Sequence, residues 1–180
     1  MRCRSRGGIM NDGKEGGCMR KVVLARIDDR LIHGQIMTAW LQTTAATRII
    51  IADDKVASDN FECRLLKATV PADVKVDVLK VDAAAAELLQ PEAQGERIIL
   101  LTKCPETMEA LIEKGVTLPE IILGNMGIRQ GRERFNRNVS ASPEEIATMS
   151  RIIEAGSEIY YQMVPKEERV NIRKLVEKGR

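Results

Sequence analysis

The chain has 180 residues, 44% of them hydrophobic and only 3% aromatic, so one domain with a core of Ile, Leu, Val and Ala is expected and a disordered chain is excluded. Its 28 basic and 26 acidic residues leave a formal charge of +2, which gives no global attraction to nucleic acid or to an anionic membrane. The four cysteines form no C-x-x-C pair and there is one histidine, which excludes the usual zinc sets, and no apolar run approaches the ~18 residues that span a bilayer.

Residues 1–19, rich in Gly, Arg and polar side chains, have no periodicity and read as a disordered extension, so the folded domain is expected over 20–180. "KVVLARI" (21–27) predicts a β-branched strand, and "GQIMTAWLQTTA" (34–45) a helix with Ile36, Ala39, Trp40 and Thr43 on one face. "RIIIA" (48–52) is a strand, and Ser58 and Asp59 open a helix through Leu65, Leu66 and Ala68. A strand at 74–81 and a helix at 82–90 follow. "ERIILLT" (96–102), the most continuous apolar run, predicts a buried central strand. Helix 105–115 has Pro105 in its first turn and Gly115 past its end. Strands are expected at 120–125 and, more weakly, at 135–141. In helix 142–156, Ser142 is the cap, Glu145 closes a capping box and Gly156 ends the helix. A strand at 158–164 and a helix over "PKEERVNIRKLVEKG" complete the chain. This alternation predicts an α/β fold: a single open, mostly parallel twisted sheet of six to seven strands with helices on both faces.

Ligands of such sheets bind beyond the carboxyl ends of the strands. Those ends are 28–34, 53–55, 102–105 and 124–131. The first holds His33, the only histidine, in "RIDDRLIHGQ" (26–35). A lone histidine is more often structural than catalytic. This one, however, follows a strand, precedes a helix N-terminus able to bind anions, and stands among Arg26, Asp28, Asp29 and Arg30. A carboxylate could hold one ring nitrogen as N–H and leave the other free to attack. "GNMGIRQG" (124–131) is either a turn or a backbone approach to phosphate. The run Arg129, Arg132, Arg134 and Arg137 is either a solvated face or a docking surface. Asp53 and Asp54 read as loop caps more readily than as a Mg²⁺ site.

Taken together, "RIDDRLIHGQ", Trp40, "RIIIADDKVASD" (48–59), "GERIILLTKCPETMEALIEKGV" (95–116) and "GNMGIRQG" resemble the IIB component of the mannose/fructose/sorbose family of the bacterial phosphoenolpyruvate-dependent sugar phosphotransferase system. The resemblance covers roughly residues 20–176. It implies a protein-Nπ-phosphohistidine–sugar phosphotransferase that takes a phosphoryl group from phospho-IIA and passes it to a sugar entering through the membrane components IIC and IID. His33 would be the acceptor, through Nδ1. Arg30 would contact the phosphoryl group, and Asp28 would orient Arg30 or the imidazole. Gly34 and Gln35 would offer backbone N–H groups, with Lys103, Asn125 and Arg129 as further phosphate contacts. Asn125 stands where many members carry a second glycine. Arg132 and Arg134 are expected to dock IIA. The resemblance implies no cofactor, no metal and no nucleic acid, and a cytoplasmic protein that associates peripherally with the permease. Two other classes remain open at this point: a non-catalytic phosphate- or small-molecule-binding regulatory domain, and a nucleic-acid-binding domain using the arginine run. The sequence fixes neither the sugar nor the oligomeric state, a homodimer included.

Overall fold

A computed structural model describes residues 19–178; the expected extension therefore lies, apart from Met19, outside the described residues. The main sheet contains β1 (Val22–Ile27), β2 (Arg48–Ala52), β3 (Lys75–Leu79), β4 (Ile98–Thr102), β5 (Glu120–Leu123), β8 (Glu158–Tyr161) and β9 (Val170–Asn171), in the order β3-β2-β4-β1-β5-β8-β9. Every pairing is parallel except β8 with β9. The expected single sheet is joined by a separate antiparallel hairpin, β6 (Glu133–Asn136) and β7 (Val139–Ala141).

Successive residues of a strand face opposite sides, and here both sides are buried. In β4, Ile98 and Leu100 join one core cluster and Ile99 and Leu101 the other. The first cluster packs against α4 (Val81–Leu88), α5 (Pro105–Glu113), α6 (Pro143–Glu154) and α7 (Arg173–Lys178). The second packs against α2 (Asp54–Ser58), α3 (Asn60–Ala68) and the helix after β1. That helix is a π-helical turn (Ile36–Trp40) running into α1 (Leu41–Thr44). β1 feeds its helix onto the second face, whereas its neighbours β4 and β5 feed α5 and α6 onto the first. The chain thus diverges on both sides of the carboxyl end of β1, the arrangement that opens a crevice in such sheets.

Four expectations change. Helix 34–45 contains the π turn, marked by the Leu41 N–H bonding the Ile36 carbonyl five residues back. Asp53 caps an additional short helix, α2, by accepting from Lys55 N and Val56 N, both at 2.9 Å. The weak strand at 135–141 is the β6–β7 hairpin, whose turn at Arg137 and Asn138 lacks the glycine that usually signals one. The last helix begins only at Arg173, because 165–169 turns back and Val170 and Asn171 pair with Tyr161 and Tyr160. Asn171 then caps α7 by accepting from Arg173 N at 2.9 Å.

Candidate active site

The loop after β1 continues the sheet ladder for two residues. Asp28 N donates to Thr102 O of β4 at 2.9 Å, and Asp29 N donates to Asn125 O beyond β5 at 3.0 Å. Asp28 and Asp29 therefore serve different sides of the loop. A turn follows, closed by Leu31 N on Asp28 O at 3.0 Å. Leu31 has φ +55°, a left-handed conformation costing a non-glycine residue about 1–2 kcal/mol. Burial of Leu31 and Ile32 in the second core holds it there.

Asp28 is fully buried and is the hub of the site. Its Oδ2 accepts from Arg26 Nη2 at 2.9 Å, Arg30 Nη2 at 3.1 Å and His33 Nε2 at 3.1 Å. Its Oδ1 accepts from Arg30 Nε at 3.0 Å. Burial works to raise the Asp28 carboxyl. Hydrogen bonds from His33 and Arg30 and the charge of Arg26 outweigh it and hold the group far below the usual carboxylate range. An ionised carboxylate can only accept, so His33 Nε2 carries the proton. Nδ1 is then the nitrogen with the lone pair, and it accepts from Gln35 N at 3.4 Å. The His33 side chain is 14% exposed. Its carbonyl accepts Met37 N at 3.1 Å, so the residue itself begins the helix. A Cβ placed on Gly34 would meet nothing within 4 Å beyond its chain neighbours, so the first turn of the helix faces open space at that position.

Asp29 buckles the 124–131 loop to this one. Its Oδ1 accepts from Asn125 Nδ2 and its Oδ2 from Gly127 N, both at 2.8 Å, and Arg129 Nη2 stands 3.5 Å from Oδ2. Asn125 is thus engaged with Asp29, while Arg129 is half exposed. Lys103 pairs with Glu62 of α3 at 3.2 Å. Arg132 is not a free surface cation. It is nearly buried, forms a forked ion pair with Glu145 at the start of α6, and donates to Gly127 O at 3.1 Å. Arg134 is exposed, as is Arg137. With Ile128, which is 86% exposed, they border an open groove of about 470 Å³. Among the described residues no cluster of three or more His, Cys, Asp or Glu side chains could hold a metal ion. No helix of the described residues is long and apolar enough to cross a membrane.

Arg26, Asp29 and the close passage of Gly124 are the parts of the site that the spacing of residues does not reveal. Arg26 could have been found as the one charge inside an apolar strand. A Cβ on Gly124 would lie 2.2 Å from Arg26 Nη2 and 2.6 Å from Asp28 Oδ2, so only glycine lets β5 pass this cluster.

Residues 22–180 match the family model described as the PTS system sorbose subfamily IIB component. The chain belongs to this IIB family. The IIB chain is 33% identical over 152 residues to the sorbose-specific EIIB component of Klebsiella pneumoniae, covering 84% of this chain and 93% of that one. It is 35% identical over 155 residues to the mannose-specific EIIAB component of Escherichia coli K12, covering 86% of this chain and 48% of the relative. The chain therefore spans about half the length of that relative. The crystal structure of the IIBSor domain of the K. pneumoniae sorbose permease superposes with a TM-score of 0.82 at 32% identity, covering 88% of this chain and 97% of that one. The shared architecture is the mostly parallel open α/β sheet, and the family is a phosphotransferase-system component.

Proposed function

We propose that this IIB chain carries a phosphoryl group on His33 Nδ1, taking it from phospho-IIA and giving it to a sugar handled by IIC and IID. The observation that carries the reading is the ring's arrangement: Nε2 is held as a donor to buried Asp28, and Nδ1 lies at the helix start, where among the described residues it accepts only from Gln35 N at 3.4 Å. The Nδ1 lone pair attacks phosphorus. The donor's P–N bond breaks and its electron pair returns to the donor imidazole. The ring then carries phosphorus on Nδ1 and the proton on Nε2, and its positive charge faces the Asp28 carboxylate. In the second step a sugar hydroxyl oxygen attacks phosphorus, the P–Nδ1 pair returns to the ring, and the hydroxyl proton leaves to the permease or solvent. Both steps are chiefly positioning and charge stabilisation. Arg30, 39% exposed at its side chain and also bonded to Gln35 Oε1, can turn toward the phosphoryl oxygens, and the Gly34 and Gln35 N–H groups stand beside them. Arg129 is the next cation, whereas Lys103 and Asn125 would first have to leave Glu62 and Asp29.

Docking of IIA falls to the exposed Arg134, Arg137 and Ile128 in place of Arg132. Transfer to sugar requires peripheral association with the permease. The test is phosphorylation by the general phosphotransferase proteins and cognate IIA. An acid-labile, base-stable label on wild type and none on His33→Ala is expected. An unlabelled wild type removes the carrier reading and leaves a phosphate-binding regulatory domain.

A further inference from the structure

Arg26 is completely buried in the middle of the sheet, in the strand Val-Val-Leu-Ala-Arg-Ile. Taking a guanidinium out of water costs several kcal/mol unless its donors are met, and an apolar residue would usually serve packing as well. Here the donors are met from far along the chain. Nη1 donates to Gln162 O at 2.8 Å and Nη2 reaches Met163 O at 3.4 Å. The guanidinium carbon lies 5.3 Å from the centre of the Trp40 ring, and Trp40 Nε1 donates to the same Met163 carbonyl at 3.1 Å. Gly124 closes over the group from β5.

What separates this from an ordinary buried ion pair is the oxygen involved. Asp28 Oδ2 accepts from Arg26 Nη2 and from His33 Nε2 alike. Arg30 also holds Asp28, but Arg30 is partly exposed and is the side chain placed to leave for a phosphoryl group. When it does, Arg26 is the cation that stays.

We propose that Arg26 is a positioning residue for phosphoryl transfer. Clamped by the Gln162 and Met163 carbonyls and the Trp40 ring, it fixes the Asp28 carboxylate so that the His33 ring keeps its proton on Nε2 throughout the cycle, which leaves Nδ1 to take and release the phosphoryl group. The proposal rests on His33 being the acceptor.

The single histidine makes the test direct, since imidazole ¹⁵N shifts need no residue assignment. Wild type is expected to give the Nε2–H tautomer. Arg26→Met, with a native melting transition, is expected to give a mixture of tautomers. Its maximal rate of phosphorylation by phospho-IIA should fall about 10- to 100-fold, the range that follows loss of the groups orienting metal-ligating histidines. The half-saturating donor concentration should stay within about twofold, because Arg26 touches no partner surface. Arg26→Lys should recover part of the rate. If Arg26→Met does not fold, Trp40→Phe, which removes the indole N–H but keeps an aromatic ring, should show the same tautomer mixing and a smaller rate loss. A folded variant with the wild-type ¹⁵N pattern and rate overturns the proposal. A label that persists on His33→Ala overturns the acceptor reading instead, and the tautomer measurement distinguishes the two failures.

Discussion

Asp28 and Asp29 are adjacent, identical and opposed in duty. Asp28 gathers Arg26, Arg30 and His33; Asp29 ties down Asn125 and Gly127 nearly a hundred residues away. The first duty is legible in sequence because its partners Arg26, Arg30 and His33 lie within five residues. The second is not, since no spacing rule connects residue 29 to residue 127. Replacing Asp28 by Asn leaves Arg26 buried without its counter-charge and should cost about 3–5 kcal/mol near neutral pH. The native Asp28 pKa lies below its unfolded value, so its contribution is complete above about pH 4 and is lost as the pH falls through the native value. Urea unfolding at several pH values is therefore expected to show a constant gap between wild type and Asp28→Asn from pH 7 to 5, narrowing below pH 4. A gap that widens in acid contradicts this sign.

At the scale of elements, caps and periodicity were readable. The Ser142–Glu145 box, Pro143 and Gly156 bound α6 as expected, with Ser142 Oγ accepting Glu145 N and Glu145 Oε2 accepting Ser142 N. Glu145 also binds Arg132, which donates to Gly127 O, so the cap of α6 anchors the loop that Asp29 holds. Ser142→Ala should lower stability by about 1 kcal/mol, measured by thermal or urea melts, while Arg132 keeps Glu145 in place. What escaped were elements set by distant partners. The π turn carries Trp40 to the Met163 carbonyl, and β9 forms by pairing with β8 where the local pattern suggests helix. The arginine run reads as one patch in sequence, but the β6–β7 hairpin and α6 divide it into a buried tether, Arg132, and exposed cations.

At the scale of the molecule, the strand alternation was legible and the strand order was not. Placing β1 between β4 and β5 depends on pairings that no local signal encodes. The 124–131 segment, tied to Asp29 of the His33 loop, joins the hairpin where Ser140 N donates to Met126 O at 2.8 Å. Long-range charge acts on encounter more than on residence. Arg134→Glu with Arg137→Glu should therefore slow phosphorylation by phospho-IIA at low salt and lose most of that deficit in high salt, where the Debye length shrinks to about 3 Å at 1 M. An unchanged rate at low salt removes the hairpin from the docking surface. Arg132→Glu is no equivalent test, because it places a like charge against Glu145.

The clamp on Arg26 also has a bearing on how the protein is made. β1 is made before its partners: two acceptors of its guanidinium are carbonyls of residues 162 and 163, and its flanking strands come from residues 98–102 and 120–123. In a nascent chain the segment around His33 therefore lacks these partners until residues 162 and 163 have been made. On the proposal that His33 is the acceptor, the geometry that receives phosphate is complete only once residues 162 and 163 are in place, which keeps shorter nascent chains from competing with finished carriers.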